Sequence, residues 1–144
     1  MREISIMVFT EEKQLKTRGP GDIIDITTDL DNAIGRSRLQ SGIITAFIPG
    51  STGGITTLEY EPGLLKDLPE LMEKLIPADR AYEHDNTWHD GNGFSHLRSA
   101  LIGPGLTVPF SNGKMLLGTW QQVVFLEFDN RPRQRRLIFQ ILGE

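Results

Sequence analysis

All three histidines of the chain fall within thirteen residues: His84, His89 and His96 stand five and seven positions apart, with Asp85, Asn86, Asp90 and Asn92 between them. Neutral imidazoles and a carboxylate are ordinary ligands of zinc and its neighbours, and Gly91 and Gly93 free the backbone to turn such groups inward together. This pattern predicts a divalent metal site, zinc or magnesium, held by His84, His89 and His96. Asp90 is the fourth ligand or the partner that orients an imidazole. The spacing is neither that of a two-histidine metalloprotease helix nor that of a zinc finger. The alternative is a polar surface loop rich in turn-forming residues.

Other residues have types suited to binding. Ser51, Thr52, Gly53 and Gly54 follow a strand-breaking Pro49 and Gly50, and small hydroxyl residues and glycines can offer N–H groups to a phosphate. The fragment has no P-loop lysine, and a plain tight turn is the alternative. Arg131 and Arg133 can clamp a phosphate through a guanidinium fork, or simply lie on a solvated turn. Thr119 and Gln121 can orient a ligand. Glu59 and the histidines are the candidates for proton transfer, although a glutamate inside a strand more often faces solvent. Trp88 and Trp120 read as core or interface packing.

Composition narrows the field. A length of 144 residues suits one domain, 1–144, with a real core. There is no cysteine, so a metal must be held by nitrogen and oxygen. A net charge of −4 offers no footprint for nucleic acid or an anionic membrane. The apolar stretch 4–9 is short and flanked by charge, so the expected address is cytoplasmic.

Positioning these groups falls to about eight strands and two or three helices. Alternation predicts a strand over 4–9, a charged turn over 11–21, and a strand over 22–27 returning antiparallel to the first. A helix is expected from Thr28 to Gly42, and buried strands over 42–48 and 55–60. Leu64, Leu65, Leu68, Leu71, Met72 and Leu75 recur at helical spacing over 62–76, with Pro69 predicting a kink or a break. The histidine stretch is expected as a loop, and Ser95 as the cap of a short helix ending at Gly103. Asn112 and Gly113 predict a hairpin, followed by long strands over 119–128 and 135–142. The fold class is α+β, mainly β: an antiparallel, jelly-roll-like sandwich.

Several motifs then agree in order. They are Tyr82, Glu83 and His84; Trp88, His89, Asp90, Gly91, Asn92 and Gly93; Ser95 and His96; Leu117, Gly118, Thr119, Trp120 and Gln121; and the run Arg131, Pro132, Arg133, Gln134, Arg135 and Arg136. In these the chain resembles the YjbQ family, also described as secondary thiamine-phosphate synthases, from about residue 28 onward. The resemblance implies a β-rich domain that assembles as a homotrimer around a polar, metal-binding pocket. It also implies a transferase that joins pyrimidine and thiazole phosphates and releases pyrophosphate, with a small phosphorylated substrate. In that reading His84, Glu59 and Gln121 serve catalysis, a cation stabilises charge on the departing phosphates, and Ser51, Thr52, Thr119, Arg131 and Arg133 hold the phosphates. Many members place a histidine where this chain has Gly50, which makes His89 the expected substitute. The competing expectation is a non-catalytic trimeric module that binds a metal or small anion.

Overall fold

The computed structural model describes residues 3–144. In chain order the elements are β1 (Met7–Lys16), β2 (Ile23–Asp25), α1 (Thr27–Ser37), β3 (Gly42–Phe47), β4 (Gly53–Leu58), α2 (Pro62–Leu75), α3 (Glu83–Trp88), α4 (Gly93–Ile102), β5 (Gly105–Ser111), β6 (Lys114–Met115), β7 (Gln122–Glu127) and β8 (Gln134–Gly143). The strands form two antiparallel sheets, one in the order β1-β8-β3-β5-β6 and the other in the order β2-β7-β4. The α+β, mainly antiparallel sandwich read from the sequence is the fold, with four helices among the described residues.

Alternation along the strands explains the layers. Ile44 and Ala46 of β3, Val108 and Phe110 of β5, and Leu137, Phe139 and Ile141 of β8 point inward and meet Ile55, Val123 and Phe125 of the smaller sheet. Leu30, Ala33 and Ile34 of α1 close the end of this core. Val124 and Leu126, the alternate residues of β7, form a second core with Ile23 and Met72, against which Leu65, Leu68 and Ile102 pack. Hence β7 is apolar on both faces. Burial of each large side chain contributes about 1.5–3 kcal/mol.

Four expectations change. The first strand begins at Met7 and runs through the charged residues expected to turn, because β1 is an edge strand whose charges have partners. Glu11 pairs with Arg36 at 2.8 Å and Lys13 with Asp29 at 3.1 Å, both on α1. β2 does not return along β1: it pairs with β7, and β1 pairs with β8. Helix α2 runs unbroken through Pro69, started by Glu61, whose carboxylate accepts from Gly63 N at 2.8 Å and Leu64 N at 2.5 Å. Helix α1 ends at Arg38, in a left-handed conformation, and Gly42 instead opens β3.

At the end of β7 the apolar alternation gives way to buried charge. Glu127 and Asp129 have no exposed surface. Arg135 grips Glu127 with Nε at 2.8 Å and a second contact from Nη2, and Thr17 donates its hydroxyl to Glu127 at 2.8 Å. Arg133 reaches Asp129 at 2.8 Å, and Thr52 donates to the same oxygen at 2.9 Å while accepting from Arg135 at 2.8 Å. Burial alone would raise the Asp129 carboxyl. Hydrogen bonds from Thr52 and Asn92, the Arg133 charge and the Arg131 N–H outweigh it and hold the group below its ordinary value.

A carboxyl lowered by folding contributes stability that is present above its unfolded pKa, about 4, and is lost as pH falls through the folded value. Urea unfolding should therefore show wild-type stability declining across this acid range. Asp129→Asn should be weaker at pH 7 by about 3 kcal/mol and depend less on pH below 5. Equal acid slopes in the two proteins would mean that Asp129 contributes no ionised carboxylate to the fold.

Candidate functional site

The stretch expected as a loop is largely helical. The Tyr82 N–H donates to Asp85 Oδ2 at 3.3 Å, and the Tyr82 hydroxyl is held by the Pro77 carbonyl at 2.6 Å. Glu83 and Asp85 place negative charge in the first turn of α3, where the exposed N–H groups favour it. His89 ends this helix in a left-handed conformation, φ 55°, with its N–H on the Asp85 carbonyl at 2.8 Å. Helix α4 starts at Asn92 rather than at Ser95, whose hydroxyl bonds Asn92 Oδ1 and the Phe128 carbonyl inside the first turn.

Two contacts set the angle between α3 and α4. Asp85 Oδ1 accepts from the Gly93 N–H at 3.2 Å, and Gly93 lies so near Tyr82 that an added Cβ would sit 2.7 Å from the Tyr82 Cβ. Farther along α4, the buried Arg98 donates to the Ile76 carbonyl at 3.0 Å and to Glu73 at 2.8 Å, fixing α4 to the end of α2.

This geometry brings His84 and His96 together. Their ring centroids are 4.4 Å apart with the planes tilted by 39°. His84 Nδ1 lies 3.7 Å from Asp90 Oδ1 and 4.0 Å from Asp85 Oδ1, and ligand atoms of these three residues all lie within 4.8 Å of one another. Among the described residues, His84 Nδ1 is the buried side-chain polar atom with no hydrogen-bond partner. Beside it opens a cleft of about 430 Å³ lined by Arg80, Ala81, Tyr82, Glu83, His84, Gly93, His96 and Leu97.

The remaining sequence candidates are placed differently. Neither His89 nor His96 belongs to the cluster that His84, Asp85 and Asp90 form, but His96 stacks beside His84 whereas His89 is exposed at the end of α3. Asp85, not singled out among the candidates, lies in that cluster; the acidic first turn of α3 is its only signal in the sequence. Thr52 is buried with its hydroxyl committed to Asp129 and Arg135, and Gly53 and Gly54 press against Phe125 and Ile102, so this segment is packing and not a phosphate cradle. Ser51 is exposed beside it. Arg133 is tied to Asp129, and Arg131 lies at the surface of the same turn, 3.9 Å from Asp129. Glu59, Thr119 and Gln121 are exposed and do not line the histidine cleft; the Gln121 side chain accepts from the Gly118 N–H at 2.8 Å.

An α+β sandwich with an imidazole and carboxylate cleft between two helices at one end describes the class of protein. The family model for YjbQ-like UPF0047 proteins matches residues 11–144, and the chain belongs to that family. It is 40% identical over 131 residues to a UPF0047 protein of Archaeoglobus fulgidus, covering 91% of this chain and 99% of that one. It is 33% identical over 132 residues to the UPF0047 protein YugU of Bacillus subtilis, covering 90% and 96%. Among solved structures, a YbjQ-like protein of unknown function from Sulfolobus solfataricus superposes with a TM-score of 0.90 at 26% identity, covering 97% of this chain and 100% of that one. A YjbQ/UPF0047 protein from Clostridium acetobutylicum gives 0.83 at 33%, covering 91% and 98%. These descriptions correct the expected activity. None of these relatives is described as a synthase, so family membership does not give this chain thiamine-phosphate synthesis. Among the described residues, no helix is long and apolar enough to cross a membrane.

The Gly93 contact generates a direct test. Gly93→Ala should push α3 away from α4, separating His84 from His96. Histidine side-chain NMR should show changed ring-current shifts for both residues, with stability lowered by about 1–3 kcal/mol; unaltered shifts would mean that the interhelix contact does not set the pair.

Proposed function

We propose that the cleft between α3 and α4 binds a divalent transition-metal ion through the His84, Asp85 and Asp90 cluster, with His96, its ring 4.4 Å from that of His84, turning in as the fourth ligand, and presents it to a small ligand entering the cleft. The observation that carries this reading is the buried, unpartnered Nδ1 of His84 facing two carboxylate oxygens. A buried polar atom without a partner costs free energy, and an ion would relieve that cost. Ligand atoms sharing a zinc at about 2.0–2.1 Å stand roughly 3.3–3.5 Å apart; the His84 separations of 3.7 and 4.0 Å approach this, and the three residues' ligand atoms together lie within 4.8 Å. Two imidazoles among the donors favour zinc and its neighbours over magnesium, which prefers oxygen throughout.

We also propose that the chain self-associates through the outer face of the five-stranded sheet. Val8, Ile43, Phe47 and Leu142 are exposed there, with Ile138, Pro109 and a row of Thr10, Gln140, Thr45 and Thr107. Glu12 and Arg136 on this face pair at 2.6 Å, and Lys16 at the end of β1 adds one further charge at its margin. Away from these charges a second copy of the same face meets little repulsion, and apolar patches of this kind mark association surfaces.

Isothermal titration of the metal-free chain with zinc, manganese and magnesium should give about one tight site for the transition ions. With structural-site affinity near 10 kcal/mol shared by four ligands, His84→Ala or His96→Ala should weaken binding roughly 100-fold each. His89→Ala should leave it unchanged. Absence of binding, or dependence on His89, would refute the site. Light scattering should give a multiple of 16.2 kDa, threefold for the expected homotrimer, and Phe47→Glu should reduce it to the monomer mass; a monomeric wild type would remove the proposed interface.

A further inference from the structure

Between Asp90 and the buried charges stands a residue hydrogen-bonded to both, Asn92. We infer that Asn92 is the positioning residue of the metal site, a strut that transmits the fixed location of Asp129 to the ligands Asp90 and His96. This inference rests on the metal-binding reading above.

The main chain of Asn92 faces the site. Its N–H donates to Asp90 Oδ1 at 3.2 Å, and its carbonyl accepts from the Ser95 N–H at 3.1 Å and the His96 N–H at 3.4 Å. The side chain faces the other way. Asn92 is 8% exposed; its Nδ2 donates to Asp129 Oδ2 at 3.3 Å, and its Oδ1 accepts from the Asn130 N–H at 3.2 Å and from the Ser95 hydroxyl. Both amide atoms are therefore committed to buried partners, while both backbone polar groups hold ligand-bearing segments.

The anchor at the far end is rigid. Asp129 also receives Thr52 and Arg133, and its own N–H donates to Glu127 Oε1 at 3.0 Å, so moving it would break charge-assisted bonds. By contrast, residues 89–91 are exposed, and Gly91 adopts φ 65°. Apart from Asn92, the tie on Asp90 is its carbonyl, which accepts from Asn130 Nδ2 at 2.9 Å. Cutting the amide to a methyl group frees Asp90 and the first turn of α4 from a common reference. Asp129 keeps Thr52 and Arg133, so the fold survives. Outer partners of this kind alter metal affinity by about 10–100-fold.

The test uses the full chain and Co²⁺, whose visible absorption reports ligand geometry. Asn92→Ala should weaken Co²⁺ binding at least about 10-fold and change the band positions and intensities of the bound ion. Thr17→Val is the control. It removes the hydroxyl that donates to Glu127 in the same buried network, so it should lower the melting temperature yet bind Co²⁺ with wild-type affinity and spectrum. Asn92→Ala with wild-type affinity and spectrum would overturn the positioning role, as would a loss in Thr17→Val equal to that in Asn92→Ala. A wild type that takes up no Co²⁺ would overturn the metal reading itself. Should Asn92→Ala not fold, Asn92→Ser, too short to reach Asp129, decides by the same criteria.

Discussion

Glu127 and Asp129 sit at the end of β7 without exposed surface, and carboxylates so placed are tolerated only while cations and donors face them. Every element near that end is bound by this requirement. Thr17 after β1, Thr52 before β4, Asn92 at the start of α4 and Arg133 and Arg135 leading into β8 all meet there. Apolar packing can hold sheets together with some freedom of angle. Directional bonds to a desolvated charge allow far less, which fixes the histidine segment against the sandwich.

The strand that ends in this network also separates the two cores. Because β7 is apolar on both faces, the smaller sheet is covered on one side by the larger sheet and on the other by α2 and its neighbours. Helix α4 lies against β4, with the Ser99 hydroxyl on the Gly53 carbonyl, and Arg98 ties it to the end of α2. The cleft forms where α3 and α4 meet and is lined by these two helices and the segment that leads into α3.

Much of the architecture was legible in the residues. Apolar runs marked the strands around Ile44 and Phe125, alternation marked the one around Phe139, helical spacing marked α2, and Asn112 with Gly113 marked the hairpin. The histidine cluster stood out because three rare side chains fell so close together. What misled were residues with two compatible uses. Glu11, Glu12 and Lys13 look like a turn until α1 and β8 supply partners across an edge strand. Thr52, Gly53 and Gly54 look like a phosphate loop, yet small residues also suit tight packing against Phe125 and Ile102. His89 looks like a ligand by type, but ending α3 in the left-handed region turns it to solvent.

By itself the sequence determined which chemistry was available: imidazoles and carboxylates without thiols, on an antiparallel sandwich of modest negative charge. Periodicity and composition are local properties, and they carry that much. Tertiary structure decided which of those groups meet. It set His84 beside His96 and gathered Asp85 and Asp90, not His89, near His84, with Gly93 bonded to Asp85 and Asn92 to a buried carboxylate 37 positions away. Contacts between residues so far apart leave no periodic trace in the chain.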